Sequence, residues 1–327
     1  MYLIHTRRLR LQYFSAPPAE YAILSHVWTN RELSFQEAQR YTGESPSLGA
    51  NGGKVQAACR YAVSEGFEWL WVDTCCIDKT NSNDLSEAIN CMYSWYASAT
   101  VCYAYLADVP TVRRTADYAS SFVKSKWHTR GWTLQELIAP AEVRFLSAQW
   151  KYIGNKALLA PLLQQITGIP DHILEHGDLS STSLAERLSW ASQRSTTRQE
   201  DEAYCLMGLF NVNIPVIYGE GRRAFRRLQE EIVRTSPDQT LFAWGRPMAP
   251  SSTICLCTEG AAPPYGQDSN LLASGPSSFG GGNGGSFRGP PRSLSFASFL
   301  QTLEVLLKRP RPDSPRKVSS KLQASPL

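Results

Sequence analysis

The sequence predicts an α/β fold: a parallel sheet with flanking helices, followed by a helical extension and a mostly disordered tail. Three observations carry this. Four short apolar runs are spaced along the first part of the chain, segments of helical periodicity alternate with them, and past about position 246 the composition turns to Gly, Pro and Ser. Strand–helix alternation of this kind is the pattern of a parallel sheet covered on both faces. The expected divisions are 1–150, 151–245 and 246–327.

The first run, "YAILS" at 21–25, is a buried strand that opens into polar "HVWTNRE". Turn chemistry at 43–53, "GESPSLGANGG", marks an exposed loop. "KVQAACRYAVSEGF" carries apolar residues at helical spacing and ends on Gly66, a usual helix terminator. "EWLWVD", 68–73, is almost wholly apolar, as a strand covered on both faces must be. Leu85, Ile89, Met92 and Tyr96 (or Tyr93) then form one helical stripe, with Asn83 or Asp84 as its cap. "TVCYAYL" at 100–106 and "EVRFLS" at 142–147 are the third and fourth strands, with the short helix "WTLQELIA" between them. From 155 to about 235 four helices follow: "KALLAPLLQQIT", "SLAERLSWASQR", "EDEAYCLMGLF" and "GRRAFRRLQEEIVRT". In the last, Phe225, Leu228 and Ile232 form the apolar face. The tail contains "GPSSFGGGNGGSFRGPP" and one further candidate helix, "LSFASFLQTLEVLLK".

The 327 residues are 43% hydrophobic and 19% charged, enough for an ordinary core. A net charge of +4, partly in the tail, argues against a chain built to hold nucleic acid. The N-terminus is basic but has no apolar stretch of the kind a secretory signal needs. No run of about 18 apolar residues exists, so no membrane span is expected. None of the eight cysteines forms a C-x-x-C pair. Reduced, partly buried thiols in a cytoplasmic protein are the plain expectation, with Cys75 and Cys76 on opposite faces if they lie in a strand. No metal site is expected.

Nucleotide signatures fail on inspection. "GANGGKV" lacks the first glycine of a phosphate loop, because Leu48 stands there, and Val55 replaces the metal-binding hydroxyl. "GEGRRA" at 219–224 matches G-x-G-x-x-A but lacks the following strand and its acidic residue, so a tight turn opening a helix is expected. No G-x-S-x-G elbow occurs.

Ligands of parallel sheets sit beyond the strands' carboxyl ends. That rim should carry His26 and Trp28 after the first strand and Asp73 at the end of the second. His26 is a candidate acid or base, weighed against a structural histidine. Asp73 is a candidate catalytic or ligand-orienting carboxylate, weighed against a turn cap. Arg130 is placed to hold a phosphate or to pair with Asp73. Trp132 is a candidate stacking platform, weighed against core packing. Glu136 lies one helical turn beyond Trp132 and shares its face. A helix-borne glutamate is ordinarily solvent-facing, but one pressed against an inward indole acquires a raised pKa.

"YAILSHVW", "WLWVDTCCIDK" and "TRGWTLQEL" resemble the three blocks of the fungal heterokaryon incompatibility (HET) domain. "RLSWASQRSTTRQEDEAYCLMGLFNVNIPVIYGEGRRAFRRLQEEI" and "DQTLFAWG" resemble the segment that follows this domain in many such proteins. The likeness covers roughly 1–245; Thr29 stands where the family usually has glycine. It implies a cytoplasmic effector of self/non-self recognition that triggers regulated cell death through an incompatibility partner or self-association. A more distant similarity to TIR domains implies a flavodoxin-like strand order. It also implies a W-x-x-x-E motif, here Trp132 to Glu136, whose glutamate cleaves NAD. On that likeness Glu136 is the catalytic candidate, His26, Trp28, Asp73, Arg130 and Trp132 bind substrate, and NAD enters as substrate with no bound cofactor.

Overall fold

The computed structural model describes residues 1–41, 48–111, 120–242 and 272–279. Its centre is one seven-stranded sheet: β1 (Tyr2–His5), β2 (Leu11–Tyr13), β3 (Ala22–His26), β4 (Trp69–Val72), β5 (Val101–Tyr105), β6 (Val143–Leu146) and β7 (Tyr152–Asn155), in the order β2-β1-β4-β3-β5-β6-β7. The four expected strands are its parallel centre. β3 pairs with both β4 and β5, and β5 pairs with β6. Their sequences predict this position: all five residues of β3 are buried, and so are three of four in β4. The expectation of a parallel sheet alone is corrected at both edges, where β1, β2 and β7 pair antiparallel.

Helices α1 (Phe35–Arg40), α2 (Gly53–Ser64), α3 (Ser82–Ser98) and α4 (Thr133–Ile138) belong to the sheet-bearing part. Gly66 follows α2 with φ +91°, the left-handed conformation a glycine supplies without strain. The cap of α3 is Asn81 rather than Asn83 or Asp84. Its side chain accepts from the amides of both those residues, which therefore occupy the first turn. Cys75 and Cys76 lie in the turn after β4, not in a strand, and both are buried.

The extension contains α5 (Ala160–Thr167), α6 (Asp171–His176), α7 (Leu184–Ser189), α8 (Asp201–Tyr204), α9 (Met207–Phe210) and α10 (Arg223–Thr235). "EDEAYCLMGLF" forms two short helices instead of one, and the second stops at Asn211 in the left-handed conformation, φ 53°. Phe225, Leu228 and Ile232 of α10 are buried as their spacing requires. "GEGRRA" is the expected turn. Gly219 and Gly221 have positive φ, and their amides donate to the Glu200 carboxylate at 2.7 and 3.0 Å. An internal carboxylate thus takes the place a bound anion would need.

Residues 272–279 rest on this extension. The buried Gln229 side chain accepts from the Ala273 amide at 2.9 Å and donates to its carbonyl at 2.8 Å. Residues 43–47 of the loop at 43–53, the helix expected in "LSFASFLQTLEVLLK" and the remaining tail lie outside the described residues. No helix among the described residues is long and apolar enough to cross a membrane.

Candidate functional site

The topological switch point lies between β3 and β5, where connections leave toward opposite sheet edges. A cavity of about 250 Å³ opens at this rim. All six candidates from the sequence line it: His26, Trp28, Asp73, Arg130, Trp132 and Glu136.

Glu136 forms part of the cavity wall. It is only 4% exposed on α4, and its carboxylate accepts from the Ser25 hydroxyl of β3, which in turn accepts from the Trp127 indole at 2.7 Å. Burial pushes its pKa up to about 8 and the charge of Asp73 adds to the rise, while Ser25, Tyr96 and Arg194 oppose it. At neutral pH most of this carboxyl is therefore protonated.

His26 is buried with both ring nitrogens unpartnered, and Nε2 stands 3.7 Å from Glu32 and 3.9 Å from Asp73. Glu32 is anchored by Lys54 at 2.5 Å and by the Thr29 amide at 2.6 Å. Burial alone raises the Glu32 pKa, but His26, Lys54 and Thr29 together hold it down to about 2. Thr29 therefore helps fix the carboxylate that faces the imidazole. Trp28 is 49% exposed and donates its indole N–H to Asp73 at 2.7 Å, leaving the other Asp73 oxygen unpartnered. Both His26 ring nitrogens, Glu32 Oε2 and Asp73 Oδ1 are four buried polar atoms without a hydrogen bond in one cluster, which is unusual in a folded core.

One expectation is corrected. Arg130 does not pair with Asp73; its guanidinium donates to Thr197 at 3.1 Å, because the chain after Trp127 runs beside the extension. The Gly131 amide donates to the Ser195 carbonyl at 2.9 Å, and the Ser195 amide to the Thr129 carbonyl at 2.8 Å. Gly131 has no room for a side chain: a Cβ would stand 2.5 Å from the Thr196 methyl and 3.2 Å from the Cys205 sulfur.

The extension contributes lining residues that motif reasoning missed: Thr197, Arg198, Asp201 and Tyr218. Asp201 is bonded by the Tyr218 hydroxyl at 2.9 Å; burial raises its pKa, and Tyr218 and Trp132 both oppose the rise. Beneath them the Arg194 guanidinium donates to the Arg130 carbonyl and the Thr133 hydroxyl, each at 2.9 Å. Burial lowers its pKa to about 10. Among the described residues no three His, Cys, Asp or Glu side chains converge as metal ligands.

These features define an α/β domain with a cavity of mixed polar and apolar lining at the carboxyl edge of its parallel strands, partly walled by a helical extension. Residues 21–115 match the family described as Heterokaryon incompatibility protein (HET), and the chain is a HET-domain protein. Residues 223–303 match a second family, Domain of unknown function (DUF8212), which runs from α10 into the Gly- and Pro-rich region. The chain is 47% identical over 223 residues to Vegetative incompatibility protein HET-E-1 of Podospora anserina. That alignment covers 66% of this chain and 16% of the relative's length. No solved structure matches the chain.

Proposed function

We propose that this protein acts in heterokaryon incompatibility as a cytoplasmic effector of regulated cell death. The cavity around Glu136 produces the signal by cleaving the N-glycosidic bond of a nicotinamide nucleotide such as NAD. The carrying observation is Glu136 itself, a buried carboxyl with a raised pKa on the wall of a cavity edged by unsatisfied polar atoms. The identity to an incompatibility protein supports the biological role. The likeness to TIR domains is supported by the order second-first-third-fourth of the parallel strands and by Trp132 and Glu136 lining one cavity.

In the step proposed, the bond from ribose C1′ to the nicotinamide nitrogen breaks. The electron pair leaves with nicotinamide, which becomes neutral, and positive charge develops on the ribosyl ring. Ionised Glu136 stabilises that charge. Entry of a cationic nicotinamide into the cavity favours this ionised form. Water then adds to C1′ and yields its proton to a rim base, for which His26 and Asp73 are placed. Trp132 and Trp28 offer ring faces to the substrate, and the extension beyond β7 supplies, through Thr197, Arg198, Asp201 and Tyr218, the wall that completes the cavity.

A second reading is a module that acts only by binding a partner or itself; the half-exposed Ile217 and Val233 of the extension favour it. Expression of wild type and Glu136→Gln at matched levels in a fungal host separates the two. Growth arrest by wild type alone supports cleavage. Equal arrest by both leaves association as the mechanism.

A further inference from the structure

Three cations line the cavity without an ion-pair partner within 4.0 Å among the described residues: Lys79, Arg130 and Arg198. Neutral groups hold each of them. Lys79 lies 4.7 Å over the Trp28 ring and donates to the Asp73 and Thr74 carbonyls at 2.5 and 3.1 Å. Arg198 lies 4.2 Å over the Tyr218 ring, and Arg130 rests on the Thr197 hydroxyl. A ring face, a hydroxyl or a carbonyl fixes a cation in place without cancelling its charge, and the Arg130 guanidinium spends one donor, on Thr197.

Of the nearby acids, Asp73 keeps one carboxylate oxygen unpartnered, and the others are engaged elsewhere. Asp73 accepts from Trp28, Asp201 from Tyr218, and Glu200 from the amides of Gly219 and Gly221. Asp201 and Glu200 do feel the charge of Arg198, but neither forms an ion pair with it. Burial favours the neutral form of Glu136. Ile77, Leu85, Ile89 and Met92 form an apolar wall of the same cavity. Such a lining suits a ligand that is anionic at one end and carries a planar ring system at the other.

The two arginines are also brought together by backbone. Arg130 and Ser195 form a parallel bridge, so Arg130 and Arg198 sit on adjoining segments, one from each part of the chain. We propose that Arg130 and Arg198, with Lys79 also lining the cavity, form a phosphoryl-recognition site. The cavity then takes phosphorylated nucleotides in preference to nucleosides, and it is complete only when the extension is present. Paired guanidiniums match phosphate oxygens in geometry as well as charge. This rests on the cavity being the functional site, but on no bond being cleaved there.

The test is calorimetric titration of the full chain with inorganic pyrophosphate, ADP-ribose, adenosine and nicotinamide riboside. Pyrophosphate and ADP-ribose should bind, with affinity that falls as salt rises. Both nucleosides should bind about tenfold more weakly or worse. Arg130→Ala and Arg198→Ala should each weaken ADP-ribose binding about tenfold, and Arg198→Lys should recover part of the loss. Thermal melts establish that the variants fold; Arg198 is exposed, so its replacement leaves the core intact. Absence of pyrophosphate and ADP-ribose binding, binding indifferent to both alanine variants, or nucleosides binding as well as ADP-ribose would overturn the proposal. Nicotinamide release from NAD, followed on the same samples, keeps the two readings apart. Cleavage with a KM unmoved by Arg198→Ala sinks the phosphoryl site alone. Arg198-dependent binding without cleavage by wild type sinks the glycosidic reading alone.

Discussion

Replacing Glu136 with Gln should stabilise the fold at neutral and alkaline pH while abolishing any chemistry the carboxylate performs. Burial lifts the Glu136 pKa from an ordinary 4.5 to about 8. The unfolded chain therefore releases this proton first as pH rises. Stability that the protonated group contributes is fully present below the unfolded value and is lost as pH rises through the folded one. Each tenfold change in proton affinity corresponds to about 1.4 kcal/mol, so the whole interval is worth at most about 5 kcal/mol; relaxation of the cavity around the anion reduces that ceiling. Gln carries no proton to release and keeps an oxygen for the Ser25 hydroxyl. The assay is denaturant unfolding of both proteins at a series of pH values from about 5 to about 9. Their difference isolates this one group. The variant should gain on wild type steadily up to about pH 8 and then run parallel to it. Two stability curves parallel over the whole range would refute the reasoning, because they would mean a carboxyl with an ordinary pKa.

Other outcomes follow from the same contacts. Gly131→Ala should cost about 1–3 kcal/mol in denaturant unfolding, because its Cβ overlaps the Thr196 methyl. Adding Thr196→Ser, which removes that methyl and keeps the hydroxyl, should restore part of the loss. Arg194→Met should leave the Arg130 carbonyl and the Thr133 hydroxyl without this donor and cost about 1–3 kcal/mol. It should also move the Glu136 titration to higher pH, since the Arg194 charge opposes the rise; carboxyl NMR shifts read this directly. His128 is held down to about 4, by burial first and by the Arg194 charge next, so it stays neutral in the fold. Stability tied to it is present above the ordinary 6.5 and falls as pH drops toward 4. His128→Gln should flatten that acid limb in the same unfolding series.

The central strands were legible because burial on both faces leaves a nearly continuous apolar run, as in "YAILS" and "WLWVD". The edge strands were not. β1, β2 and β7 have three or four residues each, β2 is largely exposed, and β7 contains Gly154, so no alternation is long enough to read. His26, Trp28 and Asp73 could be placed because strand ends of a parallel sheet converge, whatever the side-chain chemistry, and Trp132 and Glu136 because their spacing shares a helix face. Their supports could not. Ser25 lies 111 residues from Glu136 and 102 from Trp127, and nothing local in "YAILS" signals that its hydroxyl stands between an indole and a carboxyl. Arg198 and Asp201 were hidden for the same reason: an exposed arginine and an acid in a helix's first turn ordinarily face solvent. They become site residues only because Ser195 pairs with the chain around Arg130.

The central claim is that the Glu136 carboxylate performs chemistry in this cavity. Nicotinamide release from NAD by purified full-length protein, beside Glu136→Gln at equal concentration and pH about 8, tests it most directly. Release by wild type alone, rising with pH as the carboxyl ionises, is the predicted result. Equal release by both proteins, or none by either, would contradict the claim.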